Sequence, residues 1–108
     1  MLLIKALDGL DARATVTAEN IANAGTRGYR PLRVSFEDAL RHAAAKGESA
    51  IASLQPRVTQ ASGTDAATGM RLDLELATAS ETALRYSALV TVLDRRLALE
   101  SLAYKGSN

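Results

Sequence analysis

Apolar residues fall into two strongly periodic blocks at the ends of the chain, separated by a stretch where the pattern decays. In the first block Leu3, Leu7, Leu10, Ala14, Thr17 and Ile21 recur at spacings of 4, 3, 4, 3 and 4. That is a heptad seam, the period of a helix lying lengthwise on another helix. Asp8, Asp11, Arg13 and Glu19 fall off the seam. The pattern predicts a helix over 2–24, with Gly25 as its stop. Gly9 inside it costs about 1 kcal/mol relative to alanine, so this helix needs a partner.

The last block is longer. Leu76, Ala79, Ala83, Tyr86, Val90, Leu93, Leu97, Glu100 and Tyr104 follow a second 3, 4 alternation. Asp73 is the expected N-cap and Gly106 the expected terminator of a helix over 73–105. At 1.5 Å per residue it is about 50 Å long. A further stripe runs through Leu89, Val92, Leu99, Leu102 and Ala103. The far half is therefore apolar on more than one face, which a single partner helix does not cover. Exposed apolar stripes of this length mark interaction surfaces.

Between the blocks, Gly25 to Pro31 is turn chemistry, with Pro31 biasing Arg30 towards an extended backbone. A short helix is expected after Ser35 as N-cap, with Phe36, Leu40 and Ala43 on its apolar side and Gly47 as its stop. From Glu48 to Gly69 small and polar residues dominate and Pro56 interrupts. Leu54 and Val58, then Met70, Leu72 and Leu74, alternate with polar residues, which fits a short hairpin. A segment without fixed structure fits as well. The expectation is a mobile middle holding two short strands. The fold class predicted is thus mainly α, a single 1–108 domain: two long terminal helices in an antiparallel coiled-coil-like pair, joined through 25–72 by a turn, a short helix and an irregular segment.

Composition narrows the chemistry. The 108 residues carry a net charge of +1 and no cysteine. Disulfides, thiolate catalysis and cysteine-based metal sites are excluded, and no global field points to nucleic acid or an acidic membrane. No apolar run approaches the roughly 20 residues of a membrane span. The start Met1-Leu2-Leu3-Ile4-Lys5 lacks the form of a cleavable signal peptide. Aromatics are limited to Phe36, Tyr29, Tyr86 and Tyr104, so the core is built from small aliphatic side chains. His42 is the one histidine and has no clustered carboxylates or thiols in sequence to share a metal. Glu37 and Asp38 are adjacent, so they point apart on a helix and do not form an acid–base pair. Arg27, Arg30 and Arg33 form a basic run, read as a solvated turn or as partners of an acidic neighbour. No catalytic, cofactor or metal-binding residue is assigned, and an enzyme is not expected.

The block Asn20-Ile21-Ala22-Asn23-Ala24-Gly25-Thr26-Arg27-Gly28-Tyr29-Arg30 resembles the N-terminal signature of the flagellar rod and hook proteins. There a helix ends in Asn-(Ile/Leu)-Ala-Asn and a Thr-x-Gly-(Tyr/Phe)-(Lys/Arg) turn follows. The motif residues are Asn20, Ile21, Ala22, Asn23, Thr26, Gly28 and Tyr29. Val34 to Leu40 and Leu84-Arg85-Tyr86-Ser87-Ala88-Leu89 look most like the proximal rod member conventionally called B. Arg27 stands where that subfamily usually has proline, and Glu19 where many relatives have asparagine.

The resemblance implies a structural subunit of the bacterial flagellar basal body, exported through the type III apparatus without signal cleavage. It would assemble with helical symmetry into the periplasmic rod, transmit torque and support motility. The implied partners are itself, other rod proteins, the basal-body membrane ring and its export-gate adaptor, with no nucleic acid. The assembly interface is expected at Leu3, Leu7, Leu10, Ile21, Tyr86, Leu89, Val90, Leu93, Leu97 and Leu102. The residue physics alone reads Asn20 and Asn23 as helix-stop residues and Tyr86 as a seam residue. A small helical adaptor forming a discrete homodimer is the alternative.

Overall fold

A computed structural model of the chain describes residues 1–60 and 71–106. Six elements follow in order: α1 (Leu2–Ala22), β1 (Leu32–Ser35), α2 (Glu37–Lys46), α3 (Glu48–Ser53), β2 (Arg57–Gln60) and α4 (Leu72–Gly106). The fold is mainly α, and the two long terminal helices pack against each other. They run antiparallel, since Asn20 near the end of α1 meets Glu75 at the start of α4. At the other end Leu3 and Ala6 share a groove with Ala88 and Leu89.

The core lies where α1, α2, α3 and β1 converge. Leu10, Val16, Val34, Phe36, Leu40, Ala43 and Ile51 are buried there. Phe36 sits directly on the backbone of α1 at Gly9, where an added Cβ would overlap its ring. Gly9 therefore gives up helix propensity to admit the one aromatic of the core. Arg13 closes the same region. Its guanidinium lies 4.9 Å from the Phe36 ring centroid. It donates to the Val34 carbonyl at 2.9 Å and to both carboxylate oxygens of Glu37. Lys5 Nζ donates to the Leu54 carbonyl at 2.9 Å, tying α1 to the chain leaving α3. α1 thus meets α4 on one side and the middle of the chain on the other, so its buried face is wider than the single-partner seam expected.

The middle departs most from expectation. β1 pairs antiparallel with β2, with Val34 opposite Val58 and Ser35 opposite Arg57. The expected pairing of the Leu54–Val58 region with Met70, Leu72 and Leu74 does not occur. Leu72 and Leu74 form the first turn of α4, and Met70 lies outside the described residues. Ser35, expected as an N-cap, is a strand residue, and Phe36 occupies the cap of α2 without a side-chain hydrogen bond. Burial of Phe36 fixes that start where capping chemistry does not. Residues 48–53, expected to be irregular, form α3, with Ile51 in the core, while the two short strands expected in the middle are present as β1 and β2, the second at Arg57–Gln60 beside the expected Leu54–Val58 region. Gly47, at φ +115°, makes the corner between α2 and α3 that a residue with a Cβ resists. α1 ends at Ala22 and α4 begins at Leu72, each within two residues of expectation. Asp73 lies inside the first turn of α4, paired with Arg71 at 3.0 Å.

Candidate assembly surface

The end of α1 builds a polar staple. Asn20 is 1% exposed, yet its amide is fully satisfied. Nδ2 donates to the Leu32 carbonyl at 2.9 Å and to Glu75 Oε2 at 3.1 Å. Oδ1 accepts from the Leu32 N–H and the Tyr29 hydroxyl, both at 2.9 Å. Two donors and two acceptors are the whole capacity of an amide side chain. Glu75 is 3% exposed, and its other oxygen meets Arg33 at 2.6 Å. One side chain thus joins α1, the turn, β1 and α4. Burial and the nearby Glu19 and Glu75 carboxylates push the Tyr29 phenol above its ordinary range.

Asn23 does the different job of finishing the helix. Its Nδ2 donates to the Glu19 carbonyl at 2.9 Å, and its Oδ1 accepts from the Thr26 hydroxyl at 3.2 Å. The Tyr29 N–H then bonds the Thr26 carbonyl, with Gly28 at φ +76° between them. The motif residues Asn20, Asn23, Thr26, Gly28 and Tyr29 are therefore brought together in one turn. Ile21 is half-buried and Ala22 exposed beside them. The helix-stop reading holds for Asn23 and fails for Asn20, whose partners are long-range and invisible to local sequence.

The seam on α4 follows from that staple. The positions of α4 that are buried or half-buried are Glu75, Thr78, Ala79, Thr82, Leu89, Val90 and Leu93. The expected seam agrees at Ala79, Val90 and Leu93, while Tyr86 is 40% exposed. It fails at Leu76, which is 51% exposed, and at Ala83, because Glu75 and Thr82 are the buried positions. A buried carboxylate among apolar alternatives is chosen only because Asn20 and Arg33 satisfy it.

Beyond Leu93 every described residue of α4 is exposed. The helix runs 13 residues past Leu93, about 20 Å at 1.5 Å per residue. Leu97, Leu99, Leu102 and Tyr104 on this overhang are 54%, 67%, 65% and 77% exposed. At 3.6 residues per turn, Leu84, Val92, Leu99 and Leu102 fall on the side of α4 away from Glu75 and Thr82. Of the expected interface residues, Leu10 is enclosed in the chain's own core and does not reach a neighbour. Leu3, Leu7, Ile21, Leu89, Val90 and Leu93 are half-buried, while Tyr86, Leu97 and Leu102 are exposed. The residues missed by the sequence reading are Glu75, which is the partner of Arg33 in the staple, and Leu84 on the outer stripe.

Next to the overhang lies an apolar groove of about 570 Å³. Its floor and walls include Leu3, Ala6, Leu40, Ala44, Ala88 and Leu89, with Glu37, Arg41 and Arg85 at the rim. Glu37 is held to about 2, well below its ordinary 4.5, chiefly by its hydrogen bonds from Arg13. No group of three or more metal-binding side chains occurs among the described residues, and no described helix is long and apolar enough to cross a membrane.

No family model matches the chain, and no curated protein or solved structure matches it.

Proposed function

We propose that this chain is a structural subunit of the bacterial flagellar rod, most like its proximal B component, and that it works by packing its terminal helices against copies of itself and neighbouring axial proteins. The observation that carries the reading is the overhang of α4: about 20 Å of helix with Leu97, Leu99 and Leu102 uncovered. A helix that outlives its intramolecular partner and stays apolar has a surface to give to another chain. The Asn20–Tyr29 turn supports the same reading, since it resembles the rod-protein signature residue by residue. Location in the periplasmic rod, export without a cleaved leader, and contact with the membrane ring and export-gate adaptor come with that proposal. The staple suits a torque-bearing part, because it locks α1, the turn and α4 through one satisfied amide.

Removing residues 92–108 in the flagellated host should abolish rod assembly and motility. Unimpaired swimming would overturn the rod reading. The same overhang also fits a discrete homodimer, as in a small helical adaptor. A concentration series on the purified chain separates the two, since rod material extends with concentration and an adaptor stops at two copies.

A further inference from the structure

From the way α4 is held we infer that it is a releasable strap: it undocks from α1 as one unit while residues 1–60 stay folded, with Glu75 as the latch that sets how often. The inference goes beyond the rod reading and does not depend on it. None of the buried apolar side chains that form the core lies on α4. They come from α1, β1, α2, α3 and Phe36. The pairing of β1 with β2, the Lys5 bond to the Leu54 carbonyl and the Arg13 clamp on Glu37 also lie within residues 1–60. That part of the chain thus carries its own core and its own cross-links.

α4 is attached differently. Its two buried residues, Glu75 and Thr82, are both polar, and its covered apolar side chains, Ala79, Leu89, Val90 and Leu93, are only half-buried. Glu75 is held by Asn20 at 3.1 Å and Arg33 at 2.6 Å, and both partners belong to residues 1–60. Further along, Arg85 stands 3.8 Å from Glu37 with both side chains more than a third exposed, a much looser contact. The hold is therefore concentrated at the first turn. A carboxylate that leaves a buried polar pair regains its hydration, which offsets much of what the pair contributed. Half-buried side chains also give up less apolar area than enclosed ones, so lifting α4 costs less than opening the core. Leu3 and Ala6 of α1 line one groove with Leu89, so release frees both walls and docking withholds them.

Native-state hydrogen exchange of the full chain reads the two levels of opening. Amides of α4 from Ala79 to Val90 should be at least about tenfold less protected than those around Leu10 in α1 and Leu40 in α2. Ile51→Val weakens the core in the docked and the released state alike, so it should speed exchange in α1 and α2 about fivefold and leave α4 unchanged. Glu75→Ala weakens the docked state alone, and exchange in α4 should rise about tenfold. Arg33→Gln, at a side chain 53% exposed, should raise it about threefold without endangering the fold. Equal protection in the three helices, α4 speeding in step with α1 in Ile51→Val, or α4 unmoved by both latch variants overturns the strap. The rod reading fails on a different result, undiminished motility without residues 92–108, so the two can be told apart.

Discussion

The two halves of α4 belong to the same helix and live under opposite rules. From Leu72 to Leu93 it is held by partners, and the buried positions there include the polar Glu75 and Thr82. From Asp94 to Gly106 its large apolar side chains are Leu97, Leu99, Leu102 and Tyr104, and all four are exposed. Polarity therefore does not mark the inner half, nor hydrophobicity the outer. What separates them is geometric: α1 begins at Leu2, and its cover ends there. The inner half is stabilised by shape and satisfied hydrogen bonds. The outer half stores apolar area, worth about 25 cal/mol per Å² once another surface removes it from water.

That contrast can be broken first at the staple. Asn20→Ala should lower unfolding stability by about 2–3 kcal/mol, read by chemical denaturation, because it strands the Leu32 backbone groups, the Tyr29 hydroxyl and the Glu75 carboxylate. A loss under 0.5 kcal/mol would mean that α1 and α4 are not locked there. Next comes Gly9→Ala. Helix propensity favours alanine by about 1 kcal/mol, yet the methyl group meets the Phe36 ring, and we expect a net loss of about 1–2 kcal/mol. A stabilised variant would show that Phe36 does not rest on the helix.

A smaller effect is expected from acid. Glu37 is depressed in the folded chain to about 2 from 4.5, so between these values the unfolded chain binds more protons. Its contribution is present above pH 4.5 and fades as the pH falls towards 2. Because the carboxylate is 41% exposed, solvent screening keeps the contribution modest. Melting temperatures from pH 6 to 3 should fall less steeply in Glu37→Gln than in the parent chain, and parallel curves would remove Glu37 from the account. The smallest effect on folding falls on the overhang. Leu99→Glu with Leu102→Glu should change monomer stability by less than about 0.5 kcal/mol while suppressing self-association in sedimentation. A large loss of stability would show that the outer half is already covered within the chain.

Local chemistry made the long elements legible. The 3, 4 spacing of Leu3, Leu7, Leu10 and Thr17, and the recurrence of Ala79, Val90 and Leu93, place two helices correctly because periodicity reports one face of a continuous helix. The pairing of the strands was not legible. Val34 and Val58 are 24 residues apart, and nothing near either names the other; only the path of α2 and α3 brings them into register. The expected partner region, Leu72 and Leu74, alternates like a strand but is captured by α4, where helix continuity outweighs four residues of alternation.

What the sequence by itself determined is the presence of two helices, the glycine turn between Asn23 and Tyr29, and a second apolar stripe through Leu99 and Leu102 near the C-terminal end. Each depends on residues within a few turns of one another. The tertiary structure decided which faces are spent inside the chain and which remain. It turned Asn20 from a helix-stop residue into the centre of a four-bond hub, shifted the α4 seam onto Glu75 and Thr82, and enclosed Leu10. These outcomes hinge on side chains up to 55 positions apart, whose desolvation is tolerated only when both partners arrive together.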